Sequence, residues 1–197
     1  MSEVSQDRRV AAPPHRWARE ERGRTPAERI DGLADGADPR IGAPSLRAHG
    51  VTLLADRRSP DGARIGHLAV GPGGVTVVAL HDLPGAVRVR RRGGRVRRPV
   101  EHLMVAGRDR CTLIEDLAAQ LAVVRAMLAR VPDVDVRGAL CLPRVTGLPV
   151  FGQLAVRGMV VDAPLGVVRL AERRGPLTAD AIDAIVDLLA ARLPAVG

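Results

Sequence analysis

The stretch R-I-G-H-L-A-V-G-P-G-G-V-T-V-V-A-L-H-D-L-P-G-A-V, residues 64–87, decides how this chain folds. It predicts two strands joined by a turn at Gly71-Pro72-Gly73-Gly74, where Pro72 presets φ and the glycines permit positive φ. Ile65, Leu68 and Val70 precede the turn, and the β-branched run Val75, Val77 and Val78 follows it. Strands apolar on both faces suit the middle of a packed sheet.

Working outward, residues 51–58 (V-T-L-L-A-D-R-R) predict an earlier strand, and Ser59-Pro60-Asp61-Gly62 a turn. Beyond a short turn at Asp82–Gly85, residues 86–98 (A-V-R-V-R-R-R-G-G-R-V-R-R) predict a hairpin closed at Gly93-Gly94. Residues 108–130 predict the strongest helix, because Leu113, Leu117, Leu121, Val124 and Leu128 recur at steps of four and three. Asp109, Glu115 and Asp116 lie towards its start and Arg130 near its end, as the macrodipole favours. Residues 134–142 predict a strand, 143–155 an irregular connection, and 156–161 a final strand whose start holds Arg157 and Gly158. Asp162 is expected to cap a helix reaching about Arg173. Thr178 caps the last helix, with Ile182, Ile185, Leu188 and Leu189 as its apolar stripe. This order predicts an α/β domain with a mixed central β-sheet flanked by helices.

The central stretch resembles the core of the nuclease-related domain (NERD) family, within the PD-(D/E)XK nuclease superfamily. The resemblance rests on Ile65, His67, Gly71, Pro72 and Gly74, with Gly85 and Val87 beyond the second strand and Gln120 in the following helix. It implies a restriction-endonuclease-like core over about residues 36–193, its specific motifs lying within 51–87. It also locates four degenerate positions. Gly66 stands where the family has a metal-binding Asp, Ala79 where it has a second acid, and His81 where it has Lys. Arg40, in the Pro-broken stretch 36–46, stands where it has a Glu. Phosphodiester hydrolysis of this kind needs carboxylates to hold Mg²⁺, a hard ion that takes oxygen ligands. Residues 79 and 81 of a strand share one face, yet Ala79 offers no oxygen and His81 is ordinarily neutral near neutral pH. No lysine substitutes from elsewhere, because the chain contains none. The resemblance therefore implies a nuclease fold without catalytic residues.

Aromatic residues are only 1% of the chain, so the core must be built from Val, Leu, Ala and Ile. A formal net charge of +8 favours anionic partners, either nucleic acid or an acidic membrane surface. The lack of Lys, Asn and Tyr also fits GC-rich codon usage, in which Arg replaces Lys. No apolar run is long enough to span a bilayer, and the N-terminus lacks the apolar segment of a secretory signal; a cytoplasmic location is the expectation. Cys111 and Cys141 are too far apart in sequence for a metal motif and are expected to be buried thiols.

Residues 1–25 lack apolar periodicity and predict a disordered basic tail, either a solvated segment or a flexible arm for nucleic acid. Residues 26–197 form the expected domain, opened by a short helix from Thr25-Pro26 to about Gly36. Arg88, Arg90, Arg91, Arg92, Arg95, Arg97 and Arg98 crowd one predicted hairpin. Like charges on paired strands repel, so this density suggests polyanion contact as readily as a solvated face. Three functions compete on these terms. The first is a catalytically degenerate domain binding nucleic acid through that hairpin, by phosphate contacts without sequence preference. The second is a Mg²⁺-dependent DNA nuclease with a relocated site drawing on Asp56, Asp61 and Asp82 with His67 and His81. The third is a protein-interaction module with no nucleic-acid role.

Overall fold

The computed structural model describes residues 50–93, 99–149 and 152–195. The expectations for the tail, the helix after Thr25, Arg40, Arg95, Val96, Arg97 and Arg98 lie outside these residues. The chain runs β1 (Thr52–Leu54), β2 (Arg57–Arg58), β3 (Arg64–Ile65), β4 (His67–Gly71), β5 (Gly74–Leu80), β6 (Gly85–Arg92), β7 (Val100–Val105) and β8 (Arg108–Asp109). Helix α1 (Cys111–Leu128) follows, then β9 (Val136–Cys141), β10 (Val145–Thr146), β11 (Leu154–Val156), β12 (Met159–Asp162), α2 (Pro164–Ala171) and α3 (Ala179–Arg192).

The predicted strand pair is at the centre. A six-stranded mixed sheet has the order β1-β4-β5-β9-β12-β11. β4 pairs antiparallel with β5, and β5 pairs parallel with β9. The parallel pair requires the crossover that α1 supplies. Every residue of β4 is buried, and all of β5 except Leu80. One face packs Leu68, Val77, Ala79 and Leu140 against Leu117, Leu121 and Val124 of α1 and Ile185 and Leu189 of α3. The opposite face sets Val78, Ala139 and Cys141 against Val167 and Leu170 of α2. The result is a mixed α/β fold with helices on both faces of a mixed sheet.

The turn glycines serve a different purpose from the one the sequence suggests. Only Gly74 has positive φ, at 115°. Gly71 and Gly73 are required by close approach: a Cβ on either would stand 2.6 Å from a backbone oxygen, of Ala171 and Arg173 respectively. The segment after α2 lies directly on this turn, where Leu177 N–H donates to the Pro72 carbonyl at 3.1 Å.

Several boundaries depart from the sequence reading. The 51–58 strand breaks at Asp56, whose φ is 41°, and Arg57–Arg58 pair with Arg64–Ile65 in a separate two-stranded ribbon. The partner of the arginine strand β6 among the described residues is β7, with Arg92 opposite Val100 and Val87 opposite Val105. These strands form a second sheet, β10-β6-β7-β8. Residues 156–161 are not one strand. Arg157 (φ 50°) and Gly158 (φ 79°) form a two-residue turn between antiparallel β11 and β12, the double positive φ that hairpins prefer. α1 ends at Leu128, leaving Arg130 beyond it, and its first turn holds no acid. Ala163, not Asp162, is the N-cap of α2, although the Asp162 carboxylate accepts the Ala163 N–H at 2.8 Å. Thr178 caps α3 as expected, accepting the Ala181 N–H at 3.3 Å. No helix among the described residues is long and apolar enough to cross a membrane.

Candidate nucleic-acid interface and the hairpin cleft

The open end of the β4–β5 hairpin faces α1 across a cleft of about 370 Å³ lined by Asp56, Arg64, Gly66, His67, Ala79, Leu80, His81 and Gln120. The fold thus gathers Gly66, Ala79, His81, His67 and Gln120, which the sequence singled out. Ile65 is fully buried in the core, and Gly71, Pro72 and Gly74 lie at the far end of the hairpin. A larger groove of about 480 Å³ adjoins Pro72, Leu177 and α3, but among the described residues Asp183 is its one ionisable lining residue.

Gly66 interrupts the strand between β3 and β4. Its N–H donates to Gln120 Oε1 at 3.1 Å, which joins α1 to the hairpin across the cleft. A Cβ at Gly66 would stand 2.6 Å from the Val78 carbonyl oxygen. Glycine is therefore built into the local packing, and an aspartate fits here only if backbone moves. Ala79 is buried. Burial pushes the His81 imidazole below its ordinary pKa, opposed by the Asp116 carboxylate. His67 is 8% exposed and sits in the wall of the cleft.

These residues do not fit Mg²⁺, which requires clustered oxygen ligands. Among the described residues, the one carboxylate lining the cleft, Asp56, accepts from Arg64 Nη2 at 2.6 Å. Asp61 accepts from the Ser59 hydroxyl, and Asp82 pairs with Arg144. Among the described residues, no grouping of three potential metal ligands includes any of these three aspartates.

The arginine strand forms a distinct surface. Successive residues of a strand point to opposite faces. Val87 and Val89 turn inwards, opposite Val105 and Leu103, while Arg88, Arg90 and Arg92 project outwards and are exposed. Arg91 falls on the inward face at the strand's end and pairs with Glu101 at 3.1 Å. The backbone N–H of Arg157 and the Arg91 guanidinium hold the Glu101 carboxyl below its usual range. Of the four described arginines of this group, three therefore form an outward row and one is committed to a neighbouring acid.

The same outward face carries a cluster the sequence reading missed. His102 lies opposite Arg90, and Asp109 opposite Met104. Asp109 Oδ2 lies 2.8 Å from His102 Nδ1, and Asp109 Oδ1 accepts the Cys111 N–H at 2.9 Å. Cys111 Sγ is 3.6 Å from the same Nδ1. Hydrogen bonds from the Cys111 thiol and N–H, then from His102, hold the Asp109 carboxyl far below the carboxylate range. Partial burial, then Asp109, raises the Cys111 thiol pKa. Cys141 differs: it is fully buried and its thiol is pushed up to about 12, first by burial and then by Asp162. Only Cys141 is the inert buried thiol expected of both. The signal for the cluster was the turn Ala106-Gly107, which folds Asp109 back beside His102.

Comparison with family models, with curated proteins and with solved structures found no match.

Proposed function

We propose that this chain is a catalytically degenerate nuclease-like domain that holds nucleic acid by phosphate contacts. The observation that carries this reading is the exposed row Arg88, Arg90 and Arg92 on one face of β6. Guanidinium groups suit bidentate phosphate contact, and alternate residues of an extended strand repeat at roughly 6.5–7 Å, a spacing that a phosphate backbone can follow. Support for lost catalysis comes from the cleft, where Gly66 and Ala79 supply no oxygen and Asp56 is paired with Arg64. The near absence of aromatic residues argues against base stacking as the mode of contact. Such binding is sequence-independent and falls steeply with salt.

The test is a labelled DNA duplex titrated with the full chain over a range of salt, with Mg²⁺ or Mn²⁺ present and the DNA examined for cuts. Binding that weakens steeply with salt while the DNA stays intact is the expected result. Cleavage abolished by a chelator would replace this reading with a metal-dependent nuclease. Neither binding nor cleavage at low salt would move the function to protein interaction.

A further inference from the structure

We propose that His102, Asp109 and Cys111 form a binding site for a borderline divalent transition metal of the zinc class, with water as the fourth ligand. The three residues offer one nitrogen, one oxygen and one sulfur, and these atoms all lie within 4.8 Å of one another. Zinc binds such donors at about 2.0–2.3 Å, so a tetrahedral site sets its ligand atoms roughly 3.3–3.7 Å apart. The Sγ–Nδ1 separation of 3.6 Å already matches, and the Nδ1–Oδ2 separation of 2.8 Å opens by rotation of the half-exposed Asp109 side chain. It is the one grouping of three potential ligands among the described residues.

Two rigid features hold the triad together. The Ala106-Gly107 turn joins β7 to β8 and sets Asp109 beside the strand that carries His102. Cys111 is the first residue of the 18-residue helix α1, and its N–H donates to Asp109 Oδ1 at 2.9 Å, which fixes the thiol beside the carboxylate. The geometry is not that of a Cys-His-Asp nucleophile. Both Sγ and the carboxylate address the same nitrogen, Nδ1, whereas a triad uses the two ring nitrogens separately. One nitrogen shared by a thiol and a carboxylate is the place a cation takes.

Arg90, opposite His102, would repel a bare cation. A carboxylate and a thiolate cancel the divalent charge, so the loaded site is neutral. Binding releases the Cys111 thiol proton to solvent, while the neutral imidazole keeps one N–H, now on Nε2, and coordinates through Nδ1. The site is unrelated to the cleft and stands whether or not the chain binds nucleic acid.

Cobalt(II) is the probe, added to the reduced, untagged full chain. The expected result is a thiolate-to-cobalt charge-transfer band with tetrahedral d–d bands, saturating at one ion per chain and displaced by one equivalent of Zn²⁺. Cys111→Ser removes the charge-transfer band. His102→Gln and Asp109→Asn each weaken cobalt affinity tenfold or more, with circular dichroism unchanged. Cys141→Ala keeps the wild-type spectrum. No thiolate band from the wild type at saturating cobalt overturns the site. So does a band that survives Cys111→Ser or is indifferent to both His102→Gln and Asp109→Asn.

Discussion

At the scale of single residues, the cleft is defined by what a side chain would meet. Gly66 is wedged against the Val78 carbonyl, and its N–H is held by Gln120. Gly66→Asp, which would restore the acid that the nuclease resemblance implies at this position, is therefore expected to cost about 1–3 kcal/mol through overpacking. It should lower the urea midpoint without producing Mg²⁺-dependent cleavage. Gln120→Ala leaves the Gly66 donor without its acceptor and should cost about 1–2 kcal/mol in the same measurement. His81 adds a pH dependence. Its folded pKa lies below its unfolded one, so above the unfolded value both states are neutral and it contributes nothing against folding. As pH falls through the unfolded value towards the folded one, the unfolded state takes up the proton first and stability is lost. Urea midpoints compared between about pH 7.5 and about pH 5 should fall less for His81→Gln than for the wild type. Equal falls would show that His81 carries none of the dependence.

The elements differ in how openly the sequence announces them. The leucine spacing of α1 and the apolar runs of β4 and β5 are visible because one local period carries each. β7 was hidden: the glycine pair at 93–94 offered a shorter closure for the arginine strand, whereas the described return strand is Val100–Val105. The β11–β12 hairpin was hidden because arginine at positive φ is a poor turn signature, and at Arg157 tertiary contacts supply what propensity does not. Its N–H donates to Glu101 and its guanidinium to Glu115, at 3.1 and 3.0 Å. Of the candidate site, the cleft residues were legible because strand alternation puts 79 and 81 together. The metal triad was not, because a turn creates its proximity. That turn offers a test at this scale. Ala106 has φ 50° ahead of Gly107 at 76°, a conformation that Asn tolerates better than Ala. Ala106→Asn should stabilise the chain by about 0.5–1 kcal/mol, seen as a higher Tm. A lower Tm would show that Ala106 packing against Gly85 outweighs backbone preference.

For the whole molecule, the +8 charge is a weak guide until its placement is known. The fold divides the arginines into structural and available ones. Arg125 donates to the Val136 carbonyl, Arg137 to the Gly73 carbonyl, and Arg157 binds two acids, whereas Arg88, Arg90 and Arg92 face outwards. If this row meets phosphates, replacing all three with Gln should reduce the salt slope of DNA binding by about 2–3, with secondary structure unchanged. An unchanged slope would place the contacts elsewhere. Arg125→Gln and Arg137→Gln should instead lower the unfolding midpoint and leave the slope alone.

The turn at Pro72 also constrains the order in which the chain assembles. Its carbonyl waits for the Leu177 N–H, and the Val75 N–H waits for the Asp135 carbonyl. A nascent chain can close the β4–β5 hairpin as soon as it is synthesised. The parallel neighbour of β5 and the lid over the turn emerge only about 60 and about 100 residues later, and such non-local pairings slow folding. On the ribosome, β1 is already available to pair with β4, but the β5 edge that β9 will cover stays open until then, for a chaperone to shield.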